Sequence, residues 1–222
     1  MDIDALLLHL SDKRPLFHSE ADFQHALAWE IQRHYPEANL RLEYRPSISG
    51  ARMYVDVWVG LRGGRALALE LKYKTARLDI ERDGEVYALL NQSAQDTGRY
   101  DFLKDISRLE RLVSARPDTS GIAILLTNDA GYWSASRSAQ TVDAAFRLHE
   151  GRSVSGELCW GVGASAGTMR TREQAIVLQT QCDAKWTDYS QVRSDRNSRF
   201  RYLIVHVAPF DEQAVMPKGE AE

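Results

Sequence analysis

Met53-Tyr-Val-Asp-Val-Trp-Val-Gly-Leu-Arg-Gly-Gly-Arg-Ala-Leu-Ala-Leu-Glu-Leu-Lys72 is the stretch that decides the fold. Its two halves alternate with the two-residue period of a β-strand. The alternation predicts one core face made of Val55, Val57 and Val59 with Leu67, Leu69 and Leu71. Tyr54, Asp56 and Trp58, then Ala66, Ala68, Glu70 and Lys72, fall on the other face. Gly60-Leu-Arg-Gly-Gly-Arg65 between them reads as a hairpin loop. A loop centred on Gly63 sets Asp56 directly opposite Glu70, with Cβ atoms about 4.5–5.5 Å apart. Lys72 follows on the same face, roughly 7 Å further along. Two acids and a lysine among aromatic and alanine neighbours are costly unless a metal ion or a mutual network compensates them. A solvated sheet face with a Glu–Lys pair is the plainer alternative, and Tyr54, Trp58 and the alanines argue against it.

The surrounding pattern extends the hairpin into an α/β unit. Leu6, Leu7 and Leu10 mark a short amphipathic helix over residues 2–10. Ser19 offers an N-cap to a second helix that ends before Pro36, with Phe23, Leu27, Glu30 and Ile31 on its stripe. Leu40–Tyr44 reads as a strand, and Asp79–Glu85 as a charged loop. Thr97–Ser114 is a helix whose stripe is Phe102, Ile106, Leu109 and Val113. The apolar run Gly121–Thr127 is a central buried strand, reached by a crossover. Asn128 and Asp129 follow in a turn. Further on the pattern weakens: Thr141–His149 suggests a short helix, Ala175–Gln181 and Phe200–Val207 suggest strands, and the end from Met216 a frayed tail. The whole reads as a single domain, 1–222, with a core over about 19–127, an elaboration over 128–210 and a tail over 211–222.

The spacing D-x13-E-x-K, on a hairpin that follows an amphipathic helix, resembles the PD-(D/E)xK phosphodiesterase superfamily. Val55 stands where the motif's proline would be. The resemblance covers roughly residues 19–127. It implies a restriction-endonuclease-like αβββαβ core, a mixed sheet flanked by helices, and metal-dependent nuclease activity, as endonuclease or exonuclease. It also implies Mg²⁺, with Mn²⁺ as substitute, held by Asp56, Glu70 and the Leu71 carbonyl. Lys72 completes the catalytic set. Members often add an acid from the first helix, for which Glu20 is the first choice and Glu30 the second; ordinary helix-dipole stabilisation explains Glu20 equally well. Gln95 is an accessory candidate at the start of the later helix. One branch carries Q-x3-Y there, but Gln95 and Tyr100 are one residue too far apart for it. Lys74, Arg77 and Arg99 are the candidate contacts to nucleic acid, with DNA the expected partner and a homodimer left open.

Composition limits the alternatives. A net charge of −3 and a pI near 6.1 give no global basic signature, which counts against a tight non-specific nucleic-acid binder but not against an acidic nuclease site. A non-catalytic nucleic-acid-binding or scaffold protein that keeps the fold is the first alternative. Arg193, Arg196, Arg199 and Arg201 form a basic cluster that reads as solvated surface or as phosphate contacts. Cys159 and Cys182 lack metal-ligand spacing and suggest buried free thiols in a reducing cytoplasm. The amino terminus has no basic segment of a signal peptide, and no apolar run nears the ~20 residues of a membrane span. The six histidines form no close ligand pair in sequence. Gly163-Ala-Ser-Ala-Gly167 fits a nucleophile elbow, with Asp183 or Asp188 and His206 in hydrolase order. Too little chain follows Ser165 for that fold, so a serine hydrolase is a remote alternative and a flexible loop the better reading. Gly161-x-Gly163 lacks the third glycine of a dinucleotide fingerprint.

Overall fold

Two glycines in the left-handed region turn the central hairpin: Gly63 has φ 74° and Gly64 φ 78°, values that cost a residue with a Cβ about 1–2 kcal/mol. The Leu61 N–H donates to the Arg65 carbonyl at 2.8 Å and closes the loop. On either side lie β2 (Val55–Gly60) and β3 (Ala66–Lys74). Their antiparallel register pairs Val57 with Leu69 and Gly60 with Ala66, as a turn centred on Gly63 requires. A computed structural model describes residues 1–48, 52–138 and 140–208; the tail expected over 211–222 lies outside them.

Ahead of the hairpin come α1 (Ile3–Lys13), α2 (Glu20–His34) and β1 (Asn39–Tyr44). Ser19 caps α2, its side chain accepting from the Asp22 N–H. After it come β4 (Leu78–Arg82), β5 (Glu85–Leu89), α3 (Gln95–Ala115) and β6 (Thr119–Thr127). The expected charged loop at 79–85 is in fact the β4–β5 hairpin. Asp83 (φ 53°) and Gly84 (φ 79°) make its two-residue turn, which an Asp-Gly pair favours. The remainder is β7 (Ser153–Leu158), a four-residue α4 (Ala166–Met169), β8 (Ile176–Asp183), β9 (Trp186–Gln191) and β10 (Arg199–Val207).

One six-stranded mixed sheet organises these elements, in the order β1-β2-β3-β6-β10-β9. β2 is antiparallel to β1 and β3, β6 is parallel to β3, and β10 is antiparallel to β6. The chain returns from β3 to its parallel neighbour through the β4–β5 hairpin and α3, as a parallel pair demands. Helices cover both faces. Val57, Val59, Leu67, Leu69, Leu71, Ile122, Ile124 and Leu126 pack under α1 and α2. Trp58, Ala66, Ala68, Ala123, Leu125 and Leu203 pack under Phe102, Ile106 and Leu109 of α3. With both faces buried, the inner strands β3 and β6 are buried almost throughout, whereas half or more of the residues in the edge strands β1 and β9 are exposed.

Val55 departs from the expected alternation, because it joins the α3-side cluster and not the face of Val57 and Val59. The cause lies in the ladder. Pairing of β2 with β3 stops at Val57–Leu69. Beyond it the backbone is held by side chains: Gln24 of α2 donates to the Asp56 carbonyl at 2.7 Å, and Arg108 of α3 to the Tyr54 carbonyl at 2.6 Å. The two strands part here, between two helices, and the gap is where the acids gather.

The helix expected at 141–149 reduces to a 3₁₀ turn, Ala144–Phe146. Buried Asp143 fixes that segment through ion pairs with Arg99 at 2.7 Å and Arg147 at 3.0 Å, which replace a helical hydrogen-bond ladder. Cys182 is buried as expected, and burial pushes its thiol up to about 12; Cys159 is exposed, contrary to expectation, just beyond the edge of β7. Both thiols are free. Among the described residues no helix is long and apolar enough to cross a membrane.

Candidate active site

Glu70 sits on β3, an inner strand between β2 and β6, and is only 3% exposed. Its Oε1 has no hydrogen-bond partner. The nearest cation is Arg108 Nη2, at 3.4 Å. A buried acceptor left in this state is expensive. Burial first, then the neighbouring Asp105, pushes the Glu70 carboxyl up to about 9, against the pull of Arg108 and Lys72. The protein therefore holds a carboxyl where its charge is not compensated by protein groups alone.

Asp56 lies across the gap. Its Oδ2 accepts the Leu71 N–H at 2.6 Å, a strand amide left free where the ladder ends. Burial raises its pKa to about 6, opposed by the Leu71 hydrogen bond and by Lys72. Glu20, at the start of α2, accepts the Tyr73 N–H at 2.8 Å. Its charge is felt by both Asp56 and Lys72, so it belongs to the same neighbourhood. The first-choice acid of α2 thus reaches the site, although an ordinary strand amide occupies one of its oxygens.

Lys72 Nζ forms a 2.6 Å ion pair with Asp105 Oδ2 of α3 and donates to the Leu71 carbonyl at 3.3 Å. Burial works to lower the Lys72 pKa, but Asp105, Glu20 and Asp56 outweigh it, so the ammonium stays charged. Asp105 also takes Arg108 Nη1 at 2.6 Å. Four carboxylates, Glu20, Asp56, Glu70 and Asp105, therefore surround two cations, Lys72 and Arg108. The surplus is negative and oxygen-rich. An orphaned carboxylate oxygen and a hard-oxygen donor set fit a magnesium-like ion.

No protein-family profile, curated protein or solved structure matches this chain.

The other expected residues lie elsewhere. Gln95 is ten residues before Asp105 on α3, about 15 Å along the helix, and its amide donates to Asp129 at 2.7 Å. Arg99 is 3% exposed. Its guanidinium is spent on Asp143 and the Gly131 carbonyl, both at 2.7 Å, so it is a structural tie and not a phosphate contact. Arg77 is exposed, with Asp79 at 2.9 Å. Lys74, half-buried, ends β3 two residues beyond Lys72.

Glu30 faces α1 and not the site. It is held by Lys13, Arg33 and His34 at 2.9–3.1 Å. With His9 and His34 it brings three ligand-type atoms within 4.8 Å of one another, but two permanent cations already saturate the carboxylate. Three of the four arginines expected near β10 are similarly neutralised: Arg193 pairs with Asp195, Arg199 with Asp188, and Arg201 with Glu150 and Asp188, while Arg196 is exposed. Ser165 caps α4 by accepting the Thr168 N–H at 3.1 Å. Asp183 is bonded to Ser153 and Gln181, and His206 is exposed on β10, so no triad is assembled around that serine.

Asp105, Arg108 and Gln24 are the site residues that the sequence reading missed. Their signal was available. Asp105 lies three residues after Phe102 and four before Leu109, a charged residue on a core-facing stripe. Gln24, buried, lies one residue after Phe23 and three before Leu27, a polar residue at the edge of the α2 stripe.

Proposed function

We propose that the chain is a metal-dependent nuclease that hydrolyses phosphodiester bonds, with DNA as the substrate class, on a restriction-endonuclease-like fold. The carrying observation is the gap between β2 and β3, where Asp56, Lys72, Asp105 and Arg108 lie near a Glu70 carboxylate oxygen that no protein donor satisfies, with Glu20 beside Asp56 and Lys72. The strand order and directions around β3, with α2 and α3 on opposite faces, support the same reading. Asp56, Glu70 and the Leu71 carbonyl are the proposed ligands of Mg²⁺, with Glu20 as a further acid. Bound there, magnesium would supply Lewis-acid charge at the phosphate and a more acidic water.

The chain's own groups do the rest. Asp56 fixes the Leu71 peptide through its N–H, and so aims the Leu71 carbonyl. Lys72 keeps an ammonium where negative charge develops on the phosphate, stabilisation that counts most in a site partly closed to water. Asp105 holds that ammonium charged and in place. The test is a Mg²⁺ or Mn²⁺ titration against linear, nicked, branched and single-stranded DNA and RNA. Cleavage of at least one form should appear, and vanish in Asp56→Ala and Glu70→Ala. A cytoplasmic location remains part of this proposal.

The second reading is a nucleic-acid-binding or scaffold protein without catalysis. Its support is that Lys72 and Arg108 already close on Asp105 and Glu70, so the site is partly compensated by the protein itself. Binding in Ca²⁺ without cleavage of any substrate form in Mg²⁺ or Mn²⁺ would favour it.

A further inference from the structure

Arg108 stands between the acids and the protein surface. It projects from α3 one turn after Asp105, and its side chain is 25% exposed. Nη1 contacts Asp105 Oδ1 at 2.6 Å, while Nη2 donates to the Tyr54 carbonyl at 2.6 Å. The same Nη2 is 3.4 Å from Glu70 Oε1. That is well beyond the 2.7–2.9 Å of a charge-assisted hydrogen bond, and Glu70 Oε1 stays unpartnered. The guanidinium thus covers a carboxylate that it does not satisfy.

We propose that Arg108 is a mobile cation of this site: it fills the position beside Glu70 in the metal-free protein, and turns to a phosphate oxygen of the nucleic acid once Glu70 engages a divalent ion. The inference rests on the metal-site reading above. Charge favours it. Counted with Glu70 ionised, as a metal ligand must be, the four carboxylates and two cations carry a formal −2, which a divalent ion brings to zero. Arg108 is then no longer needed at Glu70, whereas a phosphodiester brings a new negative charge. Geometry favours it too. Asp105 lies on the same helix face and can keep its hold on the guanidinium through the turn. A planar fork suits two phosphate oxygens. Lys72, with 17% of its side chain exposed and Asp105 at 2.6 Å, is less free to move outward.

The test is Mn²⁺ affinity by calorimetry without nucleic acid, comparing the parent with Arg108→Gln. Glutamine can keep a hydrogen bond to the Tyr54 carbonyl but carries no charge. A guanidinium 3.4 Å from Glu70 Oε1 repels a divalent ion that would bind there. Losing the guanidinium therefore favours the metal, and Arg108→Gln should bind Mn²⁺ about tenfold tighter. In Ca²⁺ the same variant should bind a DNA oligonucleotide more weakly, with a salt dependence reduced by about one phosphate contact. Arg108→Lys, which keeps the charge, should restore most of that binding and serves as the folded control.

A purely structural arginine would leave metal affinity unchanged or lower it, and either result overturns the inference. Unaltered DNA binding in Arg108→Gln overturns it as well. If the parent binds Mn²⁺, and Asp56→Ala or Glu70→Ala loses it, but Arg108→Gln does not tighten it, the metal site stands and only the role of Arg108 falls. A parent that binds no Mn²⁺ sinks both.

Discussion

Glu70→Gln should make the metal-free protein more stable at neutral and alkaline pH. The Glu70 carboxyl titrates near 4.5 in an unfolded chain and at about 9 when folded, where burial and Asp105 oppose its charge. Below pH 4.5 the group is neutral in both states and costs nothing. As the pH rises, the unfolded chain gains by ionising while the folded one still holds its proton, so stability falls up to about pH 9 and then levels off. Two and a half pH units separate 4.5 from 7, and at 1.36 kcal/mol per unit the loss at pH 7 is about 3 kcal/mol. Glutamine removes that titration but must repack an amide beside Arg108, so a net gain of about 1–3 kcal/mol is expected. For a domain of this size that is a rise in Tm of roughly 3–10 °C. The assay is chemical and thermal unfolding in EDTA at pH 4.5 and pH 8. The gain should be present at pH 8 and nearly absent at pH 4.5. Excess Mn²⁺ should reverse the ranking, since a ligand bound only by the folded parent stabilises it by mass action. A variant less stable than the parent at pH 8, or a gain independent of pH, would refute the argument that Glu70 is an uncompensated acid.

Other expectations separate the roles within the site and outside it. Lys72→Ala should lower single-turnover cleavage by at least tenfold while changing Mn²⁺ affinity far less, because an interaction made mainly in the transition state is read in the rate; cleavage at the parental rate would reject the assignment. Asp56→Ala should abolish calorimetric Mn²⁺ binding, and an unchanged affinity in the Asp56→Ala, Glu70→Ala double variant would remove the metal site altogether. Ser165→Ala should cost about 0.5–1 kcal/mol through loss of the α4 cap and leave cleavage untouched, whereas loss of a hydrolytic activity would revive the nucleophile-elbow reading. Gly84→Ala should destabilise the protein by about 1 kcal/mol, since its φ of 79° strains any residue with a Cβ although the added methyl meets open space; circular dichroism melting checks it.

The elements that the sequence made legible are those whose burial repeats with a fixed period. Ser19 and Pro36 bracket α2, the stripe of α3 repeats from Phe102 to Val113 with Asp105 set into it, and Gly63 sets the register of β2 and β3. The elements that it hid lack such repetition. β4 and β5 alternate weakly because Glu81, Arg82, Glu85 and Val86 are all exposed, and only the Asp83-Gly84 turn marks them. β7 and β9 bury two residues each, too few to stand out from their loops. The 141–149 segment carries helix-forming residues, yet the desolvated Arg99–Asp143 pair dictates its shape, and long-range ion pairs leave no local period to detect.

The site divides along the same physical line. Asp56, Glu70 and Lys72 were legible because a strand's period of two and a single loop centre fix which residues face one another. The β2–β3 ladder, however, ends at Val57–Leu69, one residue short of the acids. The N–H of Leu71 goes to Asp56, the carbonyl of Tyr54 to Arg108 and that of Asp56 to Gln24. Leu71 lies past the last β2–β3 pair, Tyr54 precedes β2, and Asp56 is left unpaired in the registers on both sides of β2; a polar side chain from the opposite strand or from a helix takes each group. A gap between strands therefore recruits polar residues onto stripes that would otherwise be apolar, and Asp105 and Gln24 are the marks that it leaves in the sequence. Glu70 is the exception that gives the gap its chemistry. It is the group for which the surrounding elements supply burial and a cation at 3.4 Å but no hydrogen bond to Oε1, so that oxygen remains the point at which a divalent cation is proposed to bind.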